Sequence, residues 1–114
     1  QPDKAIPLLE KILQEANQIQ DSYYKTEALT SIAEAYVKLK QPDKAIPLLE
    51  KTLQEANQIQ HSYYKTRALI SIAEAFVELD NWRLAFDASK KCTTDECKVD
   101  SCVKILKTWI EKNN

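Results

Sequence analysis

The chain has no glycine and no methionine, a single histidine and only three cysteines in 114 residues. No apolar run approaches the ~18–20 residues of a membrane span, and no signal-peptide pattern is present. An excess of one charge is missing as well: 16 basic residues face 17 acidic ones, a formal net charge of −1. That balance excludes the basic face on which nucleic acid is held. A lone histidine leaves no base, nucleophile and orienting group to assemble, so no catalytic residues are assigned and the chain is not read as an enzyme. The chain opens at Gln1 without a methionine and reads as a processed or excised piece. Its length suits one domain.

What is present is helix-forming and repetitive. Ala, Leu, Ile, Lys, Glu and Gln dominate, and all favour helix. Residues 1–40 recur as 41–80 with seven differences: Ile12/Thr52, Asp21/His61, Glu27/Arg67, Thr30/Ile70, Tyr36/Phe76, Lys38/Glu78 and Lys40/Asp80. A fixed period of this size marks a stacked array, in which each unit buries its apolar face only against its neighbours.

Within a unit the apolar residues fall at three- and four-residue spacing. Ala45, Ile46, Leu48, Leu49, Leu53, Ala56 and Ile59 predict a helix over 42–59, and the same pattern predicts one over 2–19. Pro42 and Asp43 suit a helix start; Pro7 and Pro47 should bend or loosen the first turns. Ala28, Leu29, Ile32, Ala33, Tyr36 and Leu39 predict a second helix over 22–39, repeated over 62–79, with Ser22 and Ser62 as N-caps. Short connections make each unit an antiparallel helical hairpin. Beyond Asp80 the pattern continues in worn form: Trp82 to Phe86 match Pro42 to Ile46, about seven residues are missing, and an offset of 33 places Trp109 on Phe76 and Ile110 on Val77. The fold class is all-α, a solenoid of six helices in one domain over 1–114, with 81–114 as a shortened, divergent capping unit.

The run Ala28-Leu29-Thr30-Ser31-Ile32-Ala33-Glu34-Ala35-Tyr36, with Leu39, Lys44-Ala45-Ile46 and Leu49-Glu50-Lys51, resembles the tetratricopeptide repeat. Leu29, Ile32, Ala33 and Tyr36 fill that family's positions in the first type of helix, and Ala45 and Leu49 those in the second. There are departures. The usual turn glycine is Lys40 or Asp80, the usual proline after the second helix is Asn17 or Asn57, and the period of 40 exceeds the common 34. The chain also starts on a second-type helix. The resemblance implies a right-handed superhelix of long-helix type that serves as a protein-interaction scaffold, without a cofactor.

The resemblance also implies a concave protein-binding face built from first-type helices. Its residues here are Glu27, Thr30, Ser31, Glu34, Val37 and Lys38; then Arg67, Ile70, Ser71, Glu74, Val77 and Glu78; then Asp100, Val103, Lys104, Lys107, Ile110 and Glu111. Helical spacing independently keeps these off the core stripe. Three of the seven differences, at 27, 30 and 38, lie in this set, as a varied groove would have them or as free drift of exposed sites would. Members that grip a terminal carboxylate use a Lys/Asn clamp, but the matching positions hold Ser31, Glu34, Ser71 and Glu74, which would repel an acidic tail. The expected partner is a protein or peptide with basic and apolar side chains.

The remaining candidates have plain readings. His61 stands in an inter-helix turn as a cap, where the sister copy has Asp21. Tyr23-Tyr24 and Tyr63-Tyr64 are read as packing between hairpins. Cys92, Cys97 and Cys102 follow C-x4-C-x4-C with no nearby histidine, which does not match a structural zinc site. Cys92 and Cys102 fall where Thr52 and Leu69 sit and read as buried fillers. Cys92 and Cys97 flank a turn and could form a disulfide in an oxidising compartment; the odd third thiol favours the reduced state and a cytoplasmic location. The helix over 2–19 lacks a helix before it, so Ala5, Leu8, Leu9, Ile12 and Leu13 should leave apolar surface that either closes a two-fold homodimer or is covered by a missing helix or further repeats in a longer protein, whereas the C-terminal end should be capped. The alternative to a scaffold is a structural or engineered array with no natural groove ligand, possibly self-associating.

Overall fold

The computed structural model describes residues 2–92 and 94–113. Six α-helices follow one another: α1 (Pro2–Ala16), α2 (Ser22–Lys38), α3 (Pro42–Ala56), α4 (Ser62–Glu78), α5 (Trp82–Ser89) and α6 (Asp95–Lys112). Among the described residues there is no strand. The chain is an all-α helical-repeat solenoid shaped as a slab of 41 × 38 × 15 Å.

Local chemistry sets each helix end. The cap of α2 is Asp21, whose carboxylate accepts from the Tyr24 N–H at 3.0 Å; at α4 His61 accepts from the Tyr63 N–H through Nδ1 at 3.2 Å. The caps thus lie one residue before the expected Ser22 and Ser62, which are instead the first helical residues. Thr94 caps α6 by accepting from Cys97 N–H at 3.1 Å. The caps at 61 and 94 independently reproduce the 33-residue offset read from the sequence.

The expected helices over 2–19 and 42–59 stop earlier, at Ala16 and Ala56. Their last turn tightens: Gln18 and Ile19 donate to the carbonyls of Glu15 and Ala16 at 3.1 Å each, and Gln58 and Ile59 do the same one unit later. These three-residue bonds bring the chain round and bury Ile59. Pro7 and Pro47 stand inside helices that remain unbroken.

The turns after α2 and α4 are left-handed at a non-glycine residue, with φ 58° at Lys40 and 56° at Asp80. Gln41 N–H donates to Tyr36 O at 2.9 Å and Lys40 N–H to Val37 O at 3.0 Å; Asn81 and Asp80 repeat both bonds on Phe76 and Val77. This paired pattern ties off the helix carbonyls that would otherwise lack partners. It folds α3 tightly back on α2 and α5 on α4, the two most extensive interfaces of the chain. The structural hairpins therefore straddle the border between the sequence units.

Helices α2, α4 and α6 pack side by side in one row, with α1, α3 and α5 behind them. A continuous core lies between the rows and includes Leu29, Ile32, Tyr36, Ala45, Leu49, Ile72 and Phe76, all buried. Each large side chain among them, such as Leu29, Ile72 or Phe76, contributes ~1.5–3 kcal/mol by leaving water. Two buried hydroxyls are satisfied within their own helices: Thr30 donates to Thr26 O and Thr52 to Leu48 O, both at 2.7 Å.

The C-terminal unit differs from expectation. Helix α6 buries Cys97, Ser101 and Ile105 against α4 and α5, but Val99, Val103, Leu106, Trp109 and Ile110 are exposed. A polar tail after Glu111 does not cap this face, because the apolar residues recur along the helix on the side that no described helix covers. Leu8 and Ile12 of α1 are exposed as well. Cys102 is half-buried rather than a core filler, since it too lies toward the uncovered side.

Candidate groove of the α2, α4 and α6 row

Helical spacing decides which side chains meet between neighbouring helices of this row. Between α2 and α4 lies a cleft of about 120 Å³, lined by Glu27, Thr30, Ser31 and Glu34 on one side and Arg67, Ala68 and Ser71 on the other. A second cleft of about 170 Å³ lies between α4 and α6, where Ile70, Glu74, Val77 and Glu78 face Ser101, Lys104, Ile105 and Thr108. Both are far smaller than the ~300–1,000 Å³ of typical small-molecule pockets. Each has room for a side chain.

Eleven of the expected face residues thus come together in two clefts of one row. Val37, Lys38 and Lys107 line neither. Nor do Asp100, Val103, Ile110 and Glu111, because α6 meets α4 through residues 101, 104, 105 and 108 instead. Thr30 and Val77 are buried and form walls, whereas Glu27, Ser31, Glu34, Arg67, Ser71, Glu74, Glu78 and Lys104 are exposed. Sequence reasoning missed Tyr23, Thr26 and Ala68 in the first cleft. The signal for Thr26 was its spacing of four from Thr30, which puts both on one helix face. Thr26 is fully buried, and its hydroxyl oxygen has no hydrogen-bond partner among the described residues.

The electrostatics of the row are mostly acidic. Glu34 is held above the usual carboxylate range, first by partial burial, then by the like charges of Glu78 and Glu74; Lys38 opposes this. Among the described residues none of these three glutamates forms a salt bridge. Glu27 accepts from the Tyr23 hydroxyl at 2.9 Å. Arg67 shares the cleft with Glu27 and stands 5.8 Å over the Tyr63 ring. The Glu27/Arg67 difference between the copies therefore sets opposite charges on adjacent helices.

The tyrosines pack less than expected. Tyr23 meets Tyr64 across the hairpin boundary at 4.7 Å between centroids. Tyr24, Tyr63 and Tyr64 nevertheless remain exposed. Among the described residues no three His, Cys, Asp or Glu side chains are grouped to hold a metal ion, and no helix is long and apolar enough to cross a membrane. Cys92 and Cys97 are joined, with Cα atoms 5.8 Å apart, across the turn that leads into α6. Cys102 is free.

Comparison with known families agrees with this geometry: the tetratricopeptide repeat model matches residues 1–70, more than half of the chain. The chain belongs to the tetratricopeptide repeat family. No curated protein and no solved structure matches it. Tetratricopeptide repeats generally mediate protein–protein interaction and are generally non-catalytic scaffolds. In this member the repeat's turn glycine is replaced by Lys40 and Asp80, which adopt the left-handed conformation themselves.

Proposed function

We propose that this tetratricopeptide repeat chain is a non-catalytic scaffold that binds a peptide or protein segment along the α2, α4 and α6 row. The partner segment carries basic and apolar side chains. The observation that carries this reading is the trio of exposed glutamates Glu34, Glu74 and Glu78 on α2 and α4, unpaired among the described residues; partial burial first, then the like charges of Glu78 and Glu74, hold Glu34 above the usual range. A lysine or arginine placed among them would relieve that repulsion and gain charge-assisted hydrogen bonds. Ile70, Val77 and Ile105 supply apolar wall beside the charges, in the mixture typical of specific grooves. Lys104 lies at the α6 side and limits the acidic stretch to α2 and α4.

The test is an array of extended peptides in which Lys/Leu-rich and Glu/Leu-rich sets of equal length are compared. The basic set should bind, and Glu34→Lys combined with Glu74→Lys should weaken it about tenfold or more. Equal binding of both sets, or indifference to the double substitution, would sink the reading.

A second reading, an array that associates with itself, is favoured by a separate observation: the exposed Leu8 and Ile12 of α1. A two-fold contact between two α1 faces is its simplest form.

A further inference from the structure

Helices α1 and α3 are the same sequence apart from Ile12/Thr52, yet they sit in different surroundings. Helix α3 packs extensively on α2 and also on α4, whereas among the described residues the main contact of α1 is with α2, the helix that follows it. The difference is legible residue by residue: Leu48 is 7 % exposed and Thr52 0 %, but their counterparts Leu8 and Ile12 are 61 % and 51 % exposed. Helix α1 thus carries an uncovered copy of the face by which α3 closes on α2.

Helix α6 carries the matching surface. It is the third helix of the row, and by the 33-residue offset its Trp109 stands where α4 has Phe76 in the buried core. Phe76 is 0 % exposed and Trp109 43 %. No described helix covers α6 as α3 covers α2. Nor are these positions drifting toward polarity. Where α4 turns Ala73 and Val77 toward α6, α6 itself has Leu106 and Ile110 exposed on the face that α2 of a second copy would meet beside its α1, and where α3 has Thr52, α1 has Ile12. Each exposed residue is the larger or more apolar member of its pair. Exposed apolar patches of this kind mark interaction surfaces.

Charge follows the same register. Inside the chain, Lys25 of α2 pairs with Glu55 of α3 at 3.4 Å and fixes the corner where the two helices meet. The equivalent of Lys25 on α6 is Lys98, and the equivalent of Glu55 on α1 is Glu15. Both are exposed, and neither forms a salt bridge among the described residues. One contact is not reproduced: Ser22 donates to Glu55 at 3.2 Å, and Asp95 takes the place of Ser22 on α6.

We propose that copies of this chain stack head to tail, with α1 of one copy covering α6 of another as α3 covers α2 within the chain. The occupant of both faces is a second copy, because the chain itself carries the two complementary halves of an interface it already uses. The contact is heterologous. It leaves one free α1 and one free α6 at the ends of every assembly, so growth continues beyond the dimer or closes as a ring. This differs from the two-fold α1–α1 contact, which would stop at two copies.

The experiment uses the 114-residue chain in sedimentation velocity over a concentration series, with Leu8→Glu and Trp109→Glu variants. Both substitutions are at exposed positions, and helical circular dichroism confirms that each variant folds. The unmodified chain should form species that grow past the dimer as concentration rises. Each variant alone should lose association about tenfold or more, as for a central interface residue. An equimolar mixture should regain it and stop at a one-to-one pair, since Trp109→Glu keeps an intact α1 and Leu8→Glu an intact α6. Lys98→Glu should weaken the unmodified assembly a few-fold, and Glu15→Lys in the same chain should restore it. A monomer at every concentration overturns the proposal and leaves the two faces to another partner. A dimer formed by Trp109→Glu alone overturns it in favour of the two-fold contact.

Discussion

Tyr23 of α2 and Tyr64 of α4 stand with ring centroids 4.7 Å apart and planes tilted by 48°. Among the described residues this is the aromatic contact that crosses from one hairpin to the next, since Tyr24 and Tyr63 each stack there only on their sequence neighbours. A tilted pair of this kind is worth about 0.5–1.5 kcal/mol beyond area burial. A double-mutant cycle on Tyr23→Ala and Tyr64→Ala, read by urea unfolding, should return a coupling in that range. The cycle on Tyr24→Ala and Tyr63→Ala should return none.

The core makes a larger demand. Ile72 is fully buried between the two helix rows. Ile72→Ala should cost about 2–5 kcal/mol, as for other large buried aliphatics. A cost near zero in denaturant unfolding would mean that the α4 face is assigned to the wrong side.

Lys40 holds a left-handed conformation that a side chain disfavours. Lys40→Gly should remove that strain and raise stability by up to about 1 kcal/mol, part of it returned through the more flexible unfolded chain. Lys40 is the better site than Asp80, whose carboxylate also accepts from Lys112 Nζ at 3.3 Å. Thermal melts of the two forms give the answer; a lower melting temperature for the glycine form would contradict the turn geometry.

Glu34 gives a pH dependence with a definite sign. Its folded-state pKa lies above its ordinary value through partial burial and the charges of Glu78 and Glu74, against the opposing Lys38. The folded chain therefore holds the Glu34 proton more tightly than the unfolded chain does. The group is unfavourable to folding above its folded pKa, and that penalty lifts as pH falls through it. Glu34→Gln should stabilise the chain at pH 7, and the gain should vanish below the ordinary glutamate range. Melting temperatures of both forms against pH, showing no convergence in acid, would refute the assignment.

Thiol titration of freshly purified protein under denaturing, non-reducing conditions should find one free thiol per chain, Cys102, and three after reduction. Three at the outset would mean that Cys92 and Cys97 are thiols in that preparation, the state expected in a reducing cytoplasm.

Much of the fold was legible because the unit is written twice. Leu29, Ile32 and Leu49 have the same residue at the same spacing in the other copy, Tyr36 is answered by Phe76, and these five prove buried. The caps were not: Asp21 and Ser22 are both good capping residues, and choosing between neighbours needs a one-residue register that periodicity does not supply. The stops at Ala16 and Ala56 were hidden for a similar reason, because Ile19 and Ile59 keep the apolar spacing although the backbone has already turned. In the groove, the exposed glutamates came from the family resemblance, with helical spacing keeping them off the core stripe. The burial of Thr30 and Val77 depends on how closely α2, α4 and α6 approach one another, which no single helix pattern records. The exposed face of α6 was not legible because Val99, Leu106 and Trp109 keep a buried stripe's apolar character, and only the lack of a covering helix among the described residues leaves them exposed.

The slab is only 15 Å through its thin dimension, so the molecule has no deep centre. Each helix is held by the elements beside it. Opening should therefore proceed by peeling inward from the two flanks, with α3 and α4 the last to release. Amide exchange would record this as a gradient of protection along the row of helices rather than as one cooperative block, with the slowest hydrogens at Leu49 and Ile72. A binding segment laid across α2, α4 and α6 would act as a splint over those seams, flattening the gradient and lending the flanks the rigidity that the thin body does not provide.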